Sequence, residues 1–180
     1  KNTIEIKGGD KTETITTDKI IIATGSKPAS LPNIKIDKKR IISSTEALAL
    51  QEIPKHLMVV GGGVIGVEIG SVFARLGSKV SIVEYFDSLI ATMDGALGHQ
   101  LHRSLRKQGI DFYLEHKVTN ATATEDKVEL KAENLSDKEE MSLDGDYCLM
   151  AIGRKPYTAS LGLENIGVET NEKGQITVDK

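Results

Sequence analysis

Tryptophan is absent from this 180-residue sequence, and three phenylalanines and four tyrosines are its only benzenoid and phenolic side chains. Any core must therefore be aliphatic. Cysteine occurs once, at Cys148, which excludes an internal disulfide and a redox-active cysteine pair within the chain. Its apolar neighbours predict a buried, inert thiol. No apolar run approaches the roughly 20 residues of a membrane span. No signal-peptide pattern opens the chain, an absence without weight if the sequence is an excerpt. Positive charge is not in excess: 23 basic against 26 acidic residues leave a net charge of −3. That gives no electrostatic case for nucleic acid or an anionic membrane as partner. A metal set is missing too. His99 and His102 lie three apart on a predicted helix, but no carboxylate or cysteine completes them, and the flanks predict a solvated face. His56 and His116 have no visible partners, and neither reads as a general base.

What is present is an alternation of strands and helices. Thr3–Ile6 and Thr12–Thr16 alternate apolar and polar residues around Lys7–Lys11, predicting a β-hairpin. Lys19–Ala23 reads as an apolar strand leaving at Ala23-Thr24-Gly25-Ser26, and Ala29–Lys39, with Pro28 and Pro32, as a linker. A short helix with a serine or threonine cap spans Ser44–Leu50. From Leu57 the order is strand (57–60), helix (64–76), strand (79–84), helix and strand (110–114). The first helix is apolar on nearly every side and predicted to be buried, with Gly77 as its stop. The second carries the stripe Leu97, Leu101 and Leu105. Next, Lys117–Thr124, Lys127–Glu133 and Glu140–Leu143 read as an antiparallel meander with Val128, Leu130 and Ala132 on one face. Asp146–Ile152 has the continuous apolar character of a parallel strand buried on both faces. The tail after Gly162 predicts another short hairpin or edge. The fold class is α/β: a Rossmann-like, three-layer domain with a parallel sheet and an antiparallel β-meander.

The segment Leu57–Glu68 carries the chemistry. Gly61, Gly63 and Gly66 stand at G-x-G-x-x-G spacing between a short apolar strand and an apolar helix. Gly61 permits the sharp turn, Gly63 close approach of a pyrophosphate, and Gly66 close packing of helix on strand. Free N–H groups at the helix start favour the diphosphate. The next strand ends in Glu84, 23 positions after Gly61, near the offset of about 20 expected of an acid that holds an adenosine ribose. That carboxylate repels a 2′-phosphate, and Tyr85, Phe86 and Asp87 supply no cation to receive one. NAD is expected, not NADP. A methyltransferase turn needs glycine where Ile65 stands.

The runs Ser43-Ser44-Thr45-x-Ala47-Leu48, Gly61–Glu68, Gly77-x-x-Val80-x-x-Val83-Glu84 and Gly153-Arg154-x-Pro156 resemble, in order, the pyridine nucleotide–disulfide oxidoreductases. The resemblance implies an NAD domain inserted in an FAD domain. Residues 1–40 are then the end of a first FAD-domain segment, 41–155 the NAD-binding domain and 156–180 the return into an incomplete FAD domain. It further implies that Gly61, Gly62, Gly63, Val64, Ile65, Gly66, Val67 and Glu68 contact NAD. Val64, Ile65, Glu68 and Gly153 border its nicotinamide end, Glu84 holds the ribose, and Val118 flanks the adenine. Thr24, Gly25, Ser26 and Arg154 lie near FAD. The second glycine motif, the Cys-x-x-x-x-Cys pair, the Gly-Asp flavin element and the His-Glu pair of the family are not in this sequence. The chain is thus expected to be the middle of a longer protein, with no catalytic residue of its own. Resemblance alone implies a homodimeric parent in the bacterial cytoplasm or mitochondrial matrix. Its partner would be a lipoyl-bearing protein of a 2-oxo acid dehydrogenase or glycine cleavage complex. A glutathione or mercuric reductase, a soluble transhydrogenase and a non-catalytic NAD-binding module are the alternatives.

Overall fold

The computed structural model describes residues 2–179, so the expectations reaching Lys1 and Lys180 fall outside the described residues at those positions. In chain order the strands are β1 (Thr3–Gly8), β2 (Lys11–Thr16), β3 (Ser26–Pro28), β4 (Ile41–Ile42), β5 (His56–Val60), β6 (Lys79–Val83), β7 (Asp111–Tyr113), β8 (His116–Ala123), β9 (Val128–Asn134), β10 (Glu140–Gly145), β11 (Tyr147–Met150) and β12 (Arg154–Pro156). The helices are α1 (Ser44–Ala47), α2 (Val64–Arg75) and α3 (Gly95–Lys107). Two compact units result, residues 28–153 and residues 1–27 with 154–180.

The larger unit is built on a five-stranded parallel sheet, ordered β4-β11-β5-β6-β7. Side chains alternate across it. Leu57, Val59, Val80 and Ile82 pack with Val67, Phe73 and Leu105 of the helices. Met58, Val60, Cys148 and Met150 pack with Val118, Val128, Leu130 and Ala132 of the meander β8-β9-β10. Helices, parallel sheet and antiparallel sheet thus form three layers with a core on each face of the middle one. Leu57, Val59, Val128 and Leu130 are fully inaccessible. Truncating one such leucine to alanine costs roughly 2–5 kcal/mol. The continuous apolar runs of β5 and β11 follow from burial on both faces.

Local signals set the helix ends. Ser43 and Glu46 form a reciprocal capping box on α1. After α2 the chain turns at Gly77, φ +102°, where Gly77 N–H donates to Ala74 and Ser78 N–H to Phe73. This is a Schellman stop, and Gly109 repeats it after α3, with Gly109 N–H donating to Arg106 and Ile110 N–H to Leu105. Asp94 caps the start of α3 by accepting from Ala96 N–H at 2.8 Å.

Several expectations need correction. Only one face of α2 is buried: Gly66, Val67, Ile69, Gly70 and Phe73 pack inward, while Val64, Glu68, Val72 and Leu76 face outward. A single sheet can cover one side of a helix, whatever the composition of the other. Along α3, Leu105 is buried and Leu97 is exposed. His102 is not on a solvated face; it meets Phe112 edge-on at 4.7 Å between ring centres. Burial, with Arg106 and His99 nearby, holds its pKa below the usual histidine value. His56 has two partners, donating from Nδ1 to the Asp144 carbonyl at 2.6 Å and accepting at Nε2 from the Ser81 hydroxyl at 2.9 Å. It ties β5 to β6 and β10, and burial lowers its pKa. His116 donates from Nδ1 to the Leu114 carbonyl. β4, two residues long, joins the sheet beside β11 without having been anticipated. The stretch read as a linker contains Ile34, only 2% exposed in the second core. Cys148 is buried as expected, and desolvation, followed by the charge of Asp37, pushes its thiol pKa up to about 12.

In the smaller unit β1 and β2 form the expected hairpin, from Thr3↔Thr16 to Gly8↔Lys11. A 3₁₀ turn at Leu163–Ile166 and a bridge between Thr170 and Ile176 shape the tail. The strand expected at Lys19–Ala23 does not form, and Ile21 is 92% exposed. β propensity yields a strand only where a partner backbone is available to it.

Candidate functional site

β5, β6 and β11 end together. Gly61 N–H donates to the Val83 carbonyl and Ala151 N–H to the Val60 carbonyl, both at 2.8 Å. A cleft of about 900 Å³ opens beyond these carboxyl ends, within the range of small-molecule and cofactor sites. Gly61, Gly62, Gly63, Val64, Ile65, Glu84, Val118 and Gly153 all line it.

The three motif glycines do different jobs. Gly61 has φ +107°, and a Cβ there would lie 2.6 Å from the Ala151 carbonyl oxygen, so both backbone conformation and the neighbouring strand end demand glycine. A Cβ on Gly66 would lie 2.0 Å from the Gly61 carbonyl oxygen, which is how closely α2 sits on the turn. Gly63 differs. Its backbone is ordinary, φ −74° and ψ −179°, and nothing lies within 4 Å of where its Cβ would stand. The fold does not require glycine there, but a ligand approaching the backbone would. Gly63 is the N-cap of α2 and no side chain caps that end. The first N–H groups of a helix lack intrahelical acceptors, and the dipole favours an anion beside them.

Glu84 is only 9% exposed. One carboxylate oxygen accepts from Gly62 N–H at 2.5 Å and the other from Phe86 N–H at 2.8 Å. Its side chain thus holds the glycine turn as well as facing the cleft, a role that spacing alone could not reveal. Among the described residues lining the cleft, Glu84 is the one carboxylate and Lys117 the one ammonium. The opposite wall comes from β8, where the register against β9 slips between Val118 and Asn120. Thr119 is the extra residue of this bulge, and Asn33 donates to its carbonyl. A bulge beside a cleft re-aims the residues around it, and Val118 and Thr119 both line the wall. Thr119, Lys117 and Ile90 were not singled out from the sequence, and Tyr85 and Phe86 were read only as lacking a cation, not as part of the wall. The exposed aromatics directly after Glu84 were the available signal, whereas the bulge left none.

The remaining assigned residues are placed otherwise. Val67 is buried in the core and Glu68 is exposed on α2; neither lines the cleft. Thr24, Gly25, Ser26 and Arg154 belong to the smaller unit, where all four are exposed and Arg154 donates from Nε to Ser26 Oγ at 2.7 Å and from its guanidinium to the Ser26 carbonyl. No group of three or more His, Cys, Asp or Glu side chains capable of holding a metal occurs among the described residues.

A glycine turn, an uncapped helix start and a buried acid at the next strand end, all around one cleft, give this α/β domain a Rossmann-like layout. The chain belongs to the pyridine nucleotide-disulphide oxidoreductase family, whose model matches residues 1–180. Dihydrolipoyl dehydrogenase 3 of Pseudomonas putida is 48% identical over 174 residues, 96% of this chain and 37% of that protein. The mitochondrial dihydrolipoyl dehydrogenase 1 of Arabidopsis thaliana is 45% identical over 179 residues, 99% of this chain and 35% of that protein. The Cu(II) complex of the HOCl-induced flavoprotein disulfide reductase RclA from Escherichia coli superposes with a TM-score of 0.88 at 35% identity, covering 99% of this chain and 40% of that one. The chain therefore spans little more than a third of the relatives it matches. Proteins of this family use FAD and NAD. No described helix is long and apolar enough to cross a membrane.

Proposed function

We propose that this chain is the NAD-binding portion of a flavoprotein disulfide oxidoreductase, most specifically a dihydrolipoamide dehydrogenase. The parent oxidises a dithiol to a disulfide, and the two electrons reach NAD by way of a redox-active disulfide and FAD. The observation that carries the reading is the open space at Gly63 beneath an uncapped helix start, with Glu84 at the adjoining strand end. The pyrophosphate lies on the turn Gly61–Gly63 and the N–H groups of Val64 to Gly66. The adenosine ribose takes the remaining lone pairs of Glu84, with the adenine against Val118. Val64, Ile65 and Gly153 border the nicotinamide, and Glu68 and Val67 follow on α2. Thr24, Gly25, Ser26 and Arg154 stand on the flavin side, in the residues assigned to the FAD domain (1–40 and 156–180). This segment's task is to hold the nicotinamide where hydride passes between rings in contact, a proximity effect. The partner is a lipoyl-bearing protein of a 2-oxo acid dehydrogenase or glycine cleavage complex, and the parent a homodimer of the bacterial cytoplasm or mitochondrial matrix. The similarity to RclA favours one second reading, a reductase of the same scaffold acting on another disulfide or dithiol.

The test uses the full-length parent. Calorimetric titration is expected to show NAD binding far more tightly than NADP. Glu84→Ala is expected to weaken NAD by at least ~1.5 kcal/mol, one charge-assisted hydrogen bond. Equal affinities for the two nucleotides, or an indifferent variant, would overturn the site. Failure to reduce NAD with dihydrolipoamide, with NAD binding intact, would overturn the substrate alone.

A further inference from the structure

We propose that the outward face of α3 is a binding site for a small polyanion of the phosphate class, bearing at least two linked phosphates. His99, His102, Arg103, Arg106 and Lys107 line a hollow of about 520 Å³. Gly98 and Leu105 of the same helix are buried in the fold, and His102, between them, stands at the edge of the hollow. Arg103 lies one turn from both Arg106 and Lys107, spacings at which like charges repel. No carboxylate occurs between Asp94 and Asp111 to relieve them. Among the described residues none of the three makes an ion pair. The helix dipole accounts for cations in the last turn, Arg106 and Lys107, but not for Arg103 or for the histidines.

His102 forms part of the wall of the hollow. Its Nε2 is shut off from solvent without a hydrogen-bond partner, so the ring supplies only wall, and the cations Arg103, Arg106 and Lys107 supply the contacts to an anion. Guanidinium groups bind phosphate oxygens in bidentate fashion. His99 and Arg106, seven residues apart, are separated by about 10 Å along the helix axis. That exceeds one phosphate and suits two in tandem. The surface is distinct from the nucleotide cleft, with which it shares no lining residue.

The experiment titrates inorganic pyrophosphate into the full-length parent saturated with NAD, so that the nucleotide cleft does not take the probe. The expected result is saturable binding at one site per chain, weakened at least tenfold in Arg103→Gln/Arg106→Gln, with NAD affinity unchanged. Both arginines are exposed, and an unaltered circular dichroism melt confirms that the variant folds. Binding equal in variant and parent, or no saturable binding, overturns the proposal. So does saturable, arginine-dependent binding of a glutamate-rich peptide where pyrophosphate shows none, which would make the face a protein-docking surface. The comparison of variant with parent assigns the signal to α3 even if NAD itself fails to bind.

Discussion

At the scale of single residues, the glycine motif separates into positions that the fold demands and one that it does not. Gly61 is fixed by its positive φ and by the Ala151 carbonyl 2.6 Å from its absent Cβ. Gly63 has an ordinary backbone and free space at the same place. Gly63→Val is therefore expected to keep the thermal midpoint of the parent while abolishing detectable NAD binding. Its branched side chain would occupy the approach to the helix N-terminus, where about half a unit of positive charge meets the ligand. Calorimetry and a melting curve on one preparation check both halves. A variant that binds NAD normally would show that the pyrophosphate lies elsewhere. The motif's spacing was readable because three steric requirements fall on three fixed positions. The second function of Glu84 was not, since its bond to Gly62 joins groups 22 positions apart in sequence.

At the scale of elements, the contact between α2 and the turn is what keeps the site in shape. Gly66 stands beneath the Gly61 carbonyl, and a methyl group there would lie 2.0 Å from its oxygen. That oxygen is backbone and cannot rotate aside, so Gly66→Ala must push the start of α2 off β5. The expected cost is about 3 kcal/mol, the upper end of overpacking effects, read as a lowered urea midpoint with an unchanged slope. A midpoint equal to the parent's would mean that the helix start yields freely. Element order was plain from the sequence because buried parallel strands and glycine-stopped helices leave strong local signals. What failed were statements about covering. Val64, Val72 and Leu76 are as apolar as the buried residues of α2, and composition does not say that one sheet covers one face. Lys19–Ala23 has strand character without a partner strand, while β4 is too short to show any period. The bulge at Thr119 leaves the alternation on either side intact and becomes visible only in the pairing.

At the scale of the whole molecule, the titrating groups that burial perturbs sit on different elements yet act on one folding equilibrium. His56 joins β5 to β6 and β10, and His102 lies between α3 and β7; burial lowers both pKa values from 6.5. The unfolded chain then takes up protons first as the pH falls. Stability is complete above pH 6.5 and declines as pH drops through that value toward the folded pKa values. Glu46, held below 4.5 chiefly by the Ser43 hydroxyl, adds a further loss at more acid pH. Cys148 acts in the opposite direction. Its thiol is raised from 9.0 to about 12 by burial, so the unfolded chain ionises first and stability falls as pH rises past 9. Maximal stability is expected between about pH 7 and 9, with flanks of separate origin. Urea midpoints measured across that range and two units either side give the profile. His56→Gln, whose amide can still donate to Asp144, is expected to make the acid flank shallower and leave the alkaline one alone. Cys148→Ala lowers the whole curve by opening a small cavity in the second core but is expected to remove the alkaline flank. If each variant retains the parent's slope on its own side, burial of these two groups does not govern how the fold responds to pH.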